Sequence, residues 1–257
     1  SADGTVKVWD LGNRECLDTI AVVTRLLGPS ATGYYSVSAL LTVTSNNQVL
    51  MTTSGNSGSQ SNFNATAATT AIINVWDESE SCLRTLYGHT NAVEALVINS
   101  KDQVISGSVD NTLKLWDLKK GVCIRTLIGH TGSVYALAVN SKDLLISGGD
   151  DKTIRVWDIK NGICIRILIG HTSTVNALAV NSKDQIISGS WDITIKVWNA
   201  KSGECLRTLT EQSGLVMAFA VNSRDQLVSG SFDSKIKVWN TESGECLRTL
   251  LGHTGSV

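Results

Sequence analysis

The sequence predicts an all-β protein built from stacked four-stranded antiparallel units, and three observations predict it. Trp76, Trp116, Trp157, Trp198 and Trp239 recur at steps of 40, 41, 41 and 41 residues. Each repeat holds four short runs rich in β-branched residues, separated by Gly, Asn, Asp, Ser and Lys. Amphipathic stretches of helical length are absent. One unit reads Val134–Val139, Leu144–Gly148, Thr153–Asp158 and Cys164–Leu168 as strands a to d, with a turn at Gly149-Asp150-Asp151-Lys152 between b and c. Four antiparallel strands cannot cover both faces of their own sheet, so such units must stack. Radial stacking of these blades gives a β-propeller.

In this register the chain is read as one propeller domain over 1–257. Strands c and d of a first blade lie at 1–20, an irregular blade at 21–87, regular blades at 88–250, and the start of a closing strand at 251–257. Five units are complete and a sixth is split between the termini, so the intact ring is expected to hold six or seven blades. Raw strand edges invite aggregation. The chain is therefore expected to belong to a longer one or to a multiprotein complex, with its two ends side by side. The irregular blade carries insertions within 21–36 and 55–71, both on the same side of the ring.

Composition narrows the partners. Lys plus Arg (22) nearly balances Asp plus Glu (23), a net charge of −1 that argues against nucleic acid or an anionic membrane. No apolar run approaches the roughly 20 residues that span a bilayer. Cys82, Cys123, Cys164, Cys205 and Cys246 keep the 41-residue step, with Cys16 at the matching place of the first unit. Equivalent places in different blades lie beyond the ~7 Å Cα reach of a disulfide. The cysteines are expected to be small buried hydrophobes in a reducing, cytoplasmic setting. With no Cys-x-x-Cys pair and no His, Asp or Glu cluster outside the repeat, neither a metal nor a cofactor is expected.

Gly88-His89, Gly129-His130, Gly170-His171 and Gly252-His253 share the period. Trp-Asp stands at 9–10, 76–77, 116–117 and 157–158, and Trp-Asn at 198–199 and 239–240. In these motifs the chain resembles the WD-repeat family over nearly its whole length. The resemblance implies that strand a, after Gly-His, is innermost, that Trp sits on strand c, and that strand d is outermost. It also implies a structural hydrogen-bonded tetrad in each blade. The matching sets are His89, Ser106, Asp110, Trp116; His130, Ser147, Asp151, Trp157; and His171, Ser188, Asp192, Trp198. A His-Asp-Ser set repeated at one place in three units reads as a buried polar network and not as a catalytic triad. Before Trp239, Glu211-Gln212 replaces Gly-His. Before Trp76, Met51 takes the serine place. These two blades are expected to be less rigid.

Function is placed by where otherwise similar repeats diverge. The second residue of each Val-x-Ala run is Glu94, Tyr135, Asn176 or Met217, and the residue before the turn Asp is Val109, Asp150, Trp191 or Phe232. Both places lie on the side carrying the b–c and d–a turns, called the top. Tyr135, Asn176, Trp191, Met217 and Phe232 are therefore the expected partner-binding residues. The recurring Arg84, Arg125, Arg166, Arg207 and Arg248 of strand d are expected to be solvated charges that discourage edge pairing. The function expected is a non-enzymatic scaffold for a peptide or protein. The alternatives are a structural spacer in a large assembly or a propeller enzyme.

Overall fold

The computed structural model describes residues 5–9, 16–21, 41–43, 49–53, 71–76, 82–210 and 213–257. The two insertions and Glu211-Gln212 lie outside the described residues. A two-stranded sheet pairs β1 (Thr5–Trp9) with β2 (Cys16–Ala21). Five four-stranded meanders follow. The first holds β3 (Leu41–Val43), β4 (Val49–Thr53), β5 (Ala71–Trp76) and β6 (Cys82–His89). The second holds β7 (Val93–Ile98), β8 (Val104–Ser108), β9 (Thr112–Asp117) and β10 (Val122–Ile128). The third holds β11 (Val134–Val139), β12 (Leu144–Gly149), β13 (Ile154–Asp158) and β14 (Ile163–Leu168). The fourth holds β15 (Val175–Val180), β16 (Gln185–Ser190), β17 (Ile195–Asn199) and β18 (Cys205–Leu209). The fifth holds β19 (Val216–Val221), β20 (Gln226–Ser231), β21 (Ile236–Asn240) and β22 (Cys246–Leu250). All pairings within them are antiparallel, and there is no helix among the described residues.

Strand a of each of these blades lies against strand a of the next, β3 on β7, β7 on β11, β11 on β15 and β15 on β19. That is the inward convergence radial stacking requires. The core sits between blades. Ile187, Ile195, Val197 and Leu209 of the fourth blade meet Val216, Leu227 and Trp239 of the fifth, and the same pattern recurs at three earlier interfaces. Trp116, Trp157, Trp198 and Trp239 are almost fully buried there. An aromatic of this size removes roughly 150–250 Å² from water, worth about 4–6 kcal/mol. The close approach depends on glycine: a Cβ on Gly148 would lie 2.6 Å from Val175 Cγ1 of the next blade.

Polar links join the blades on the side of the a–b and c–d turns, the bottom. Ser100, Ser141 and Ser182 donate hydroxyl and main-chain N–H to Asp143, Asp184 and Asp225 of the following blade. The strand-d arginines do more than the sequence suggests. Arg125 donates to the Lys160 carbonyl at 3.4 Å, Arg166 to that of Ser202 at 2.9 Å, and Arg207 to that of Ser243 at 3.2 Å. Each therefore reaches the next blade's c–d turn as an inter-blade tie. Arg125 packs over Gly162, whose φ of +75° suits a residue without Cβ.

The expectation of buried cysteines is corrected. Cys82 and Cys205 are exposed, and Cys123, Cys164 and Cys246 are half-buried. They sit on the outermost strand, where a neighbouring blade covers only alternate positions. Cys164 Sγ–H points at the Arg166 carbonyl, 3.3 Å away, across the bulge that faces Val156 and Trp157.

Candidate functional site

Two sets of side chains stand out, one inside the blades and one at the top rim. Inside, Trp157 Nε1–H donates to Ser147 Oγ at 2.8 Å, Ser147 Oγ lies 2.7 Å from His130 Nε2, and His130 Nδ1 lies 2.8 Å from Asp151 Oδ2. The sets His89, Ser106, Asp110, Trp116 and His171, Ser188, Asp192, Trp198 repeat these distances within 0.1 Å. An ionised carboxylate only accepts, so Nδ1 carries the proton and Nε2 accepts the serine O–H. The chain of donors runs from Trp to Ser to His to Asp with every member satisfied.

The electrostatics agree. Burial alone would raise the Asp110 and Asp151 carboxyls, but hydrogen bonds from the histidine, the threonine two residues on and a main-chain N–H hold both well below the usual range. Burial likewise opposes the bonds from Thr194, the Thr172 N–H and His171, which still lower Asp192 to about 2. Burial also lowers the pKa of His171, against the pull of Asp192, so its imidazole is neutral. The geometry mimics a Ser-His-Asp triad, yet Ser106, Ser147 and Ser188 are each 0 % exposed. Each Oγ also accepts a Trp N–H at 2.8 Å, so a lone pair that a nucleophile would use is engaged.

Sequence reasoning missed the threonines. Thr112, Thr153 and Thr194 each donate side-chain O–H and main-chain N–H to Oδ1 of the turn aspartate. The Asp-x-Thr spacing was a usable signal. In the fifth blade the matching residue is Lys235, whose Nζ lies 3.2 Å from Asp233, and Ser213 hydrogen-bonds the same carboxylate. Trp239 still donates to Ser229 at 2.9 Å. A cation and a hydroxyl thus hold this turn.

At the rim, the divergent position on strand a is a β-bulge. Val134 pairs with Gly149 and Ala136 with Gly148, leaving Tyr135 as the extra residue. Glu94, Asn176 and Met217 fall in the same gap of their blades. A bulge re-aims its side chain out of the ladder. The structure brings Tyr135 and Trp191 together across two blades, their rings stacked with centroids 6.3 Å apart. It also brings Asn176 Nδ2 to 3.8 Å from Met217 Sδ. Trp191 is 40 % exposed and Phe232, one blade on, 61 %. Asn176 Oδ1 is buried without a hydrogen-bond partner. Burial raises the pKa of Glu94.

One rim residue escaped the sequence reading. Ile193 follows the Trp191 turn with φ of +59° and is 47 % exposed. Its counterparts Asn111, Lys152 and Ser234 also have positive φ, but a β-branched residue is a genuine outlier there. Nothing in an isoleucine announces a left-handed backbone. No group of three or more His, Cys, Asp or Glu is placed to hold a metal ion among the described residues.

The blades, their bulged inner strands and the Trp-Ser-His-Asp networks define a WD-repeat protein. The family model for the WD domain, G-beta repeat, matches residues 80–117, 121–158, 162–199 and 203–240, more than half of the chain. The chain belongs to this family, whose members serve broadly as scaffolds for protein–protein interaction. It is 33% identical over 121 residues to the ribosome biogenesis protein YTM1 of Candida albicans, a match covering 46% of this chain and 22% of that protein. It is 36% identical over 116 residues to a probable coatomer subunit beta' of Schizosaccharomyces pombe, covering 44% and 12%. It is 41% identical over 64 residues to the nuclear distribution protein nudF 2 of Aspergillus clavatus, covering 24% and 15%. The matched segments thus span less than a quarter of each relative.

Proposed function

We propose that this chain is a non-enzymatic scaffold that captures a peptide or protein on its top face, at the arc of Tyr135, Asn176, Trp191, Ile193, Met217 and Phe232. The observation that carries the reading is the strained Ile193 beside half-exposed Trp191. Backbone strain of this kind costs about 1–3 kcal/mol and is characteristic of functional sites. Two other features support it. Four bulges aim different side chains at one rim, and Tyr135 and Trp191 stack there across neighbouring blades. The buried, fully bonded serines support a structural role for the three triad-like sets. A place in a multi-subunit assembly, as the coatomer relative's name states for that protein, is the setting we propose.

The test is selection of peptides from a displayed library on the intact chain, followed by calorimetry. Truncating a hot-spot aromatic costs about 2 kcal/mol or more. Selected peptides should therefore lose about thirtyfold in affinity to Trp191→Ala, with the melting temperature nearly unchanged. Binders indifferent to both Trp191→Ala and Phe232→Ala would overturn the top-face reading.

A further inference from the structure

The bottom face carries two clefts that the top-face reading does not use. One, of about 420 Å³, lies between the second and third blades. The other, of about 500 Å³, lies between the third and fourth. They are built alike because the repeat builds them. In the first, Lys101, Arg125, Lys142 and Lys160 face two acids, Asp143 and Asp158. In the second, Lys142, Arg166, Lys183 and Lys201 face Asp184 alone. Each cleft is therefore cationic in a chain whose net charge is −1.

The acids present are already engaged. Asp143 and Asp184 accept the Ser100 and Ser141 donors, and Asp158 accepts two bonds from Asn161. Those bonds, with a smaller pull from Lys101 and Lys160, hold the Asp143 and Asp158 carboxyls below their ordinary range. Lys142, shared by both clefts, is 73 % exposed and only 3.7 Å from Asp184, a weak surface pair. Lys183 is tied to Glu242 of the fifth blade.

The clefts are not purely polar. Ile124 lines the first and Ile165 the second, both the extra residue of a strand-d bulge and both half-exposed, with Leu144 common to the two. No aromatic side chain lines either cleft. A stacking platform for single-stranded nucleic acid is thus missing. Basic walls over an aliphatic floor instead match carboxylates flanking an aliphatic side chain.

We propose that the paired bottom clefts, joined at Lys142 and Leu144, form a docking site for an extended acidic segment of a partner protein that carries aliphatic residues between its Asp and Glu side chains. The site is separate from the top arc, so one chain can hold two partners at once.

The probe is a fluorescein-labelled twelve-residue peptide alternating Glu or Asp with Leu, titrated into the intact chain at 150 mM NaCl. Two further probes are the same peptide with Gly for Leu and a twelve-nucleotide oligo-dT. The Leu peptide should bind at least fivefold more tightly than either. Lys142→Glu should weaken it tenfold or more, and Lys160→Glu and Ile124→Ser severalfold each. Lys152→Glu, on a top-face turn, and Trp191→Ala should leave it unchanged. Circular dichroism melts of each variant separate lost binding from lost fold. Equal affinity for oligo-dT or the Gly peptide would show a general polyanion surface and overturn the proposal. So would no binding of the Leu peptide, or binding that ignores Lys142 in a folded variant.

Discussion

Replacing Ser147 with alanine removes one oxygen and breaks two buried bonds, and the structure allows its effect to be worked out. Ser147 Oγ accepts from Trp157 Nε1 at 2.8 Å and donates to His130 Nε2 at 2.7 Å. Trp157, His130 and Ser147 are all buried, so water cannot replace the lost partner. Each stranded polar group costs about 1–3 kcal/mol, while the volume lost is a single oxygen. A net destabilisation of about 3 kcal/mol follows. In a chain of this size 1 kcal/mol corresponds to a fall in Tm of about 2–4 °C. The Ser147→Ala variant should therefore melt roughly 6–12 °C lower, followed by tryptophan fluorescence and checked by urea titration. In a repeat array the loss is concentrated in one blade and its interfaces. Hydrogen exchange should accordingly rise most at β11, β12 and β13. Peptide binding at the top arc, measured below the transition, should persist. An unchanged midpoint, or loss spread evenly over all blades, would refute the view that this network locks its own blade.

Two further outcomes follow from geometry and charge. Ile193→Asn relieves a left-handed β-branched residue and should raise stability by about 1 kcal/mol, read as a higher urea midpoint. The same change should weaken top-arc ligands, and a destabilised variant would contradict the strain. Acid should destabilise the chain in two windows. His171 has a lowered folded pKa, so the unfolded chain binds protons first and stability begins to fall as pH drops below about 6.5. Asp192 is held at about 2, so its contribution is complete above about pH 4 and vanishes as pH falls towards 2. Urea titrations across pH 2–7 should show both slopes. Flat stability between pH 6.5 and 4 would contradict the neutral buried imidazole.

The parts of this fold legible in the sequence are those governed by period. The Trp, Gly-His and turn-Asp steps placed strands a to d, and the resemblance to the WD-repeat family that these motifs carry named the hydrogen-bonded sets of the second, third and fourth blades. What stayed hidden depends on the backbone or on a neighbouring blade. The bulge at Tyr135 is a two-against-one pairing that side-chain identity does not encode. The role of Arg125 could not be read because its acceptor, the Lys160 carbonyl, belongs to the next repeat. Cysteine exposure was misjudged because a hydrophobic-looking periodic residue fits the outermost strand as well as the core. The strain at Ile193 arises because Trp191-Asp192-Ile193 occupies a turn that elsewhere holds Asn111 or Ser234.

The inner-strand bulge has a consequence for how such a surface can change over time. A residue left out of the ladder gives up no cross-strand pair when it is exchanged, so its side chain is decoupled from the register that builds the blade. Four repeats with nearly the same scaffold accordingly present an acid, a phenol, an amide and a thioether at that one place, Glu94, Tyr135, Asn176 and Met217. Duplication of a blade copies the frame, and later substitution at the unpaired position rewrites the message without rebuilding the frame. The order of blades around the axis then acts as a reading order, and exchanging two blades would permute the side chains a ligand meets while leaving each interface of Val, Leu and Trp intact.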